Sequence, residues 1–175
     1  MQTNILKIIQ DLYQKPDYSY TLLNYVDRDY WKDKLLTNMK ATHIDNLTDF
    51  NYSKCFTLFI CSDYYPKINL GSDELSEYLK NHSFLDGIML YISAIAPFAA
   101  IKFFRYKDIE SNVQLIELPH PPLEESKTIY KQLISLLNEN NLEILQGETL
   151  ALKVNEISLE LEEGELTVFQ CLFEE

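Results

Sequence analysis

The groups in this chain that can do chemistry are three histidines, three cysteines and twenty-seven carboxylates. His43, His82 and His120 stand far apart, and none has a second His or Cys at metal-ligand spacing. A zinc site would need side chains gathered from three distant loops. Cys55 and Cys61 flank one apolar run. On a strand they share a face, but six residues at strand rise set them roughly 20 Å apart, too far for one metal or a disulfide. A Cys–His or Ser–His pair assembles in space rather than in sequence, so a hydrolase or transferase stays open as a rival reading. No nucleophile motif supports it, and no Gly-x-Ser-x-Gly elbow is present. Gly71, Gly87, Gly147 and Gly164 are too scattered for a GxGxxG turn or a P-loop, which excludes nucleotide binding by those routes. Asp27 with Asp29, or Glu160 with Glu162, are carboxylates two apart that on a strand would share a face and suit acid–base or cation work. Yet charge alternating with Ile157, Leu159 and Leu161 is what a half-solvated strand requires. No catalytic residue, metal ligand or cofactor is assigned.

Charge and aromatic content carry more. Lys and Arg number 15 against 27 Asp and Glu, a net charge of −12. That argues against non-specific nucleic-acid binding, which needs a basic face, and against docking on anionic membranes. Lys102, Arg105 and Lys107 interleave with Phe103, Phe104 and Tyr106, a pattern that can stack bases. Among acidic flanks it reads instead as rim cations whose stems lie over apolar surface. From Glu139 to Glu175 there are ten Glu and one basic residue, Lys153, so −9 of the −12 falls in the last fifth of the chain. The loop Ser62-Asp63-Tyr64-Tyr65-Pro66 is aromatic and acidic, and tyrosine is enriched at interface centres. Asp63, Tyr64, Tyr65, Glu160, Glu162, Glu163 and Glu165 are therefore the candidate binding residues.

The three cysteines are odd in number, lack a CxxC spacing and read as buried free thiols, which points to a reducing compartment. The start, MQTNILKIIQDLYQK, has neither the basic region nor the small-residue cleavage site of a signal peptide. The longest apolar run is broken by Pro97 and Lys102, too short for a membrane span. A cytoplasmic protein is expected.

These residues need a frame. The 175 residues fit one domain, 1–175. The least polar run, Ile88–Tyr106, reads as two strands, 88–95 and 98–106, bent at Ala96-Pro97 and central in a sheet. Thr3 caps a helix to Gln14 that Pro16 ends, with Ile5, Ile8, Ile9 and Leu12 on one stripe. Residues 19–38 form a helix broken near 27, and 42–54 form a polar loop. Phe56–Ile60 is a strand. Ser72 caps a short helix to Asn81, with Leu75, Tyr78 and Leu79 on one face. Val113–Leu118 is a strand, and Pro119-His120-Pro121-Pro122 leads into a helix to Asn140. Its stripe is Ile129, Leu133, Leu136 and Leu137, and Asn140-Asn141 makes a left-handed stop. Strands through 150–154, 157–162 and 166–170 close the chain, with a turn at Glu163-Gly164. The class is α+β, a mostly antiparallel sheet with N-terminal and later helices packed on it.

The function these features imply is a non-enzymatic binding protein that occludes a basic protein surface. The concrete version is a bacterial-type immunity or inhibitor protein against a toxin. A third reading is a homo-oligomeric structural subunit that buries its 12 Tyr and 9 Phe against itself.

Overall fold

The structure is a computed structural model. It describes residues 2–15, 19–24, 27–39, 42–110, 112–155, 157 and 165–174. The apolar run folds as the sequence pattern requires: β3 (Leu85–Ser93) turns through 94–97 into β4 (Phe98–Ile109), with Leu90 opposite Ile101. Both are flanked on each side. β1 (Thr42–Asn46) and β2 (Cys55–Ser62) precede them, β5 (Asn112–Leu118) follows, and the order β1-β2-β3-β4-β5 is antiparallel throughout. A sixth strand, β6 (Glu143–Leu145), runs parallel to β4. The mixture of six helices with this sheet makes the protein α+β.

Period-two alternation gives β2, β3 and the first half of β4 two apolar faces, and both are covered. On one face Phe56, Leu58, Ile60, Ile88, Leu90, Ile92, Ile101 and Phe103 pack beneath α3 (Tyr30–Asn38) and α5 (Glu124–Glu139) through Trp31, Leu35, Ile129, Leu133 and Leu137. The other face carries two clusters. Near the start of β2, Cys55, Phe98 and Ala100 meet α1 (Gln2–Gln14) and α6 (Val168–Phe173). Near its end, Phe59, Cys61, Met89 and Phe104 meet α4 (Asp73–Asn81) and Tyr65. Gly87 belongs where it is because the Phe59 ring lies on it: a Cβ there would sit 2.2 Å from Phe59 Cζ.

Residues 28–29 are a turn and α3 starts only at Tyr30, so the break expected near 27 is present after α2 (Ser19–Asn24), and Asn141 takes the left-handed φ of 57° that stops α5. Several expectations are corrected. The polar segment expected to be loop throughout 42–54 contains β1, an edge strand whose outer side has no need of apolar residues. Ser72 stands at the N-cap of α4, but its hydroxyl donates to the Asn69 carbonyl rather than accepting from the helix. α1 already begins at Gln2, so Thr3 lies inside its first turn. The stretch 150–154 is not one strand: it follows a 3-10 helix (Gly147–Thr149), continues as a turn at 150–151, and is strand only in the two-residue β7 (Lys153–Val154). The strand expected over 166–170 stops at once: β8 is Leu166–Thr167, and Val168 begins α6. Five of the six α6 residues are buried, so an all-round apolar run fits a buried helix as well as a buried strand. Pro16, most of the strand 157–162 and the turn at Glu163-Gly164 lie outside the described residues.

Candidate functional site

The tyrosine loop leaves β2 at Ser62 and turns at once, its Tyr65 amide bonded to the Ser62 carbonyl. The two tyrosines then part. Tyr65 is buried among Phe59, Leu75 and Leu79, whereas Tyr64 is 73% exposed and meets Tyr65 edge to face at 5.1 Å. Asp63 is exposed beside them. Of this trio, Tyr64 and Asp63 are therefore the groups offered to solvent. Glu165 is exposed as well, with its carboxylate 3.9 Å from Lys153 Nζ at the start of the β7–β8 pair. Tyr65 joins the cluster at the Cys61 end of β2, while β8 joins the cluster at the Cys55 end, so the loop and Glu165 sit on different clusters of one face. Glu160, Glu162 and Glu163 lie outside the described residues.

A second feature was not foreseen. β6 pairs with β4 through Phe98, Ala99 and Ala100, and β5 pairs with it from Phe103 onward. Ile101 and Lys102 fall between the two partners. There the chain leaves β5 through Pro119-His120-Pro121 and leaves β6 through Gln146-Gly147, opening a cleft of about 960 Å³. Lys102 forms one wall. Its Nζ lies 3.3 Å from a Glu117 carboxylate oxygen and 4.2 Å from the Phe169 ring centroid, so the rim cation expected from sequence is held over an aromatic face. Tyr130 on α5 and Gln146 form another wall, the amide donating to the phenol oxygen at 2.6 Å. Thr167 and Gln170 line the far side and cap α6 reciprocally, the Gln170 amide donating to the Thr167 hydroxyl. Apolar side chains with a few fixed polar groups make a recess able to bind.

The groups that might act covalently are placed otherwise. Burial pushes Cys55 and Cys171 up to about 11, and burial with the neighbouring Asp45 and Asp86 carboxylates pushes Cys61 up to about 12. All three are free and stay thiols at neutral pH. His43, His82 and His120 occupy β1, the end of α4 and the loop after β5. His43 is in cross-strand register with Cys61, while His82 stacks on Tyr78 at 4.1 Å. Among the described residues no group of three or more His, Cys, Asp or Glu is placed to hold a metal ion. No helix there is long and apolar enough to cross a membrane. Comparison with protein-family models, with curated proteins and with solved structures gives no match.

Proposed function

We propose that this chain is a cytosolic binding protein, not an enzyme, that covers a basic surface of another protein, in the manner of an immunity or inhibitor protein that neutralises a toxin. The observation that carries this reading is the charge: −12 in all, −9 of it within Glu139–Glu175. A charge so concentrated attracts a basic partner at long range and speeds encounter. The exposed Tyr64 beside Asp63 supports it, since tyrosine combines apolar area with a hydroxyl that tolerates water. The buried, protonated thiols speak against a cysteine nucleophile.

The test is capture and identification of a partner by the tagged chain at low salt, followed by binding measurements with the purified pair. Reversing Glu160, Glu162, Glu163 and Glu165 together to Lys weakens binding at least tenfold and flattens its salt dependence, while the far-UV circular dichroism is unchanged. Equal binding by the reversed, folded protein overturns the reading.

A further inference from the structure

The cleft beside Lys102 lies where the last fifth of the chain, which carries −9 of the −12, closes onto the sheet. Eight of its lining residues, from Gln146 to Glu174, belong to that segment, so the field of the segment's carboxylates falls on this recess. Its walls offer acceptors. The Gln146 amide nitrogen donates to the Tyr130 oxygen, which leaves the Gln146 carbonyl oxygen without a donor among the described residues. Glu117, its side chain 56% exposed, turns one oxygen to Lys102. Glu148 stands on the 3-10 helix beside Gly147, exposed and paired with no cation among the described residues. Lys102 itself is only 22% exposed and is engaged by Glu117 and by the Phe169 face. Phe103 and Tyr130, edge to face at 5.3 Å, form the aromatic wall.

We propose that this cleft receives an arginine side chain projecting from a basic protein partner. The inference rests on the binding function proposed above and names the group that function recognises. Charge decides the sign of the occupant. An anion would have to enter the field of a protein of −12 and compete with Glu117 for Lys102. A cation meets a wall where Lys102 is already matched by Glu117 and where Glu148 adds a further carboxylate at the rim. Shape and hydrogen bonding decide for arginine over lysine. A guanidinium is flat and weakly hydrated, so it lies on an aromatic face such as Tyr130 while its fork of N–H groups donates to the Gln146 carbonyl and to a carboxylate. An ammonium is a strongly hydrated point charge without that fork. The chain already contains one such seat in the same cleft: the Lys102 ammonium, between the Phe169 ring and Glu117, is a cation held by an aromatic face and a carboxylate. A volume of about 960 Å³ accommodates a side chain of arginine's length beside it.

NMR titration of the full chain with N-acetyl-arginine methylamide, which carries one positive charge and no carboxylate, tests this without the partner. The expected result is saturable shifts at the Gln146 side-chain amide, Gly147 and Ala151, with a dissociation constant of about 1–10 mM. N-acetyl-lysine methylamide binds at least about threefold more weakly. Glu117→Gln and Gln146→Ala each weaken the arginine probe by about threefold or more, with unchanged far-UV circular dichroism. Shifts that do not saturate overturn the proposal, as do shifts as large at Asp63 and Glu165 as in the cleft. So does equal affinity for the lysine probe, or an arginine affinity unchanged by either substitution. The two failures separate. A chain that captures a basic partner through its carboxylates but shows no cleft shifts keeps the binding function and overturns this inference. Saturable cleft shifts, in a chain whose charge-reversed form holds its partner equally well, overturn the binding function and leave the arginine seat standing.

Discussion

At one edge of the sheet, β1 is tied down by its own chain. The Asp45 carboxylate accepts from the Leu70 amide at 2.6 Å, and the Asn46 side-chain amide donates to the Arg28 carbonyl and to Asp29 Oδ1. At the other edge, β5 meets nothing on its outer side among the described residues, and its apolar side chains face water. Polar residues thus occupy the edge that local segments cover, and apolar residues occupy the one that they do not. That is the reverse of what a solitary protein needs to stay soluble.

Perturbations in the centre set the scale for both edges. Arg105 on β4 clamps Asp86 on β3 with two hydrogen bonds of 2.7 and 2.8 Å, and the Asp86 side chain is fully buried. Arg105→Met strands that carboxylate and destabilises the fold by about 3 kcal/mol in urea titration. Because Arg105 is in register with Ile116, β5 loses amide protection before β1 does. Gly87→Ala drives a Cβ into the Phe59 ring and destabilises by about 2 kcal/mol, and Phe59→Leu in the same chain recovers part of the loss. Asp45→Ala removes the tie at the covered edge and costs about 1–2 kcal/mol, with faster hydrogen exchange at Leu70. Leu115→Lys at the bare edge changes monomer stability by less than about 0.5 kcal/mol. If Leu115→Lys destabilises the monomer as much as Asp45→Ala does, the contrast between the edges fails.

The smallest effect at neutral pH is that of the thiols. Their folded values, about 11 to 12, lie above the ordinary 9.0, so the folded state holds these protons more tightly than the unfolded chain does. Their contribution is intact below pH 9, and it is lost as pH rises from about 9 toward 12. Denaturation midpoints in urea therefore stay level up to pH 8 and fall above 9. A flat profile to pH 11 would refute the burial of these three thiols.

The sheet's centre was legible because Ile88–Tyr106 is apolar on both faces, and only a covered strand pair accommodates that. α5 was legible because Ile129, Leu133, Leu136 and Leu137 repeat at helical spacing. β1 was not, because an edge strand of Thr, His, Ile, Asp and Asn has the composition of a loop, and its ties to Leu70 and Arg28 are tertiary. α6 was misread because Leu166 and Val168 alternate with Thr167 and Phe169 as strand residues do. Thr167 followed three positions later by Gln170 is a capping-box signal that marks the helix start, and the structure contains that box. The candidate cleft draws on β4, β5, α5, the turn after β6 and α6, and no local pattern reports such a convergence. Lys102 alone gave a hint, as a cation inside an apolar strand.

α6 bears on how the chain is made. The Cys55 thiol donates to the Phe173 carbonyl across 118 positions, and the Tyr13 hydroxyl donates to the Cys171 carbonyl across 158. On a ribosome the meander from β1 to β5 is complete long before α6 emerges. Until then the face bearing Cys55, Phe98 and Ala100 waits uncovered beside α1. Local hairpins form quickly, whereas closing so long a loop is slow. A chain cut short of Val168 lacks α6 and leaves the apolar face of Cys55, Phe98 and Ala100 without that cover, so it is expected to be more readily cleaved by protease than the full chain.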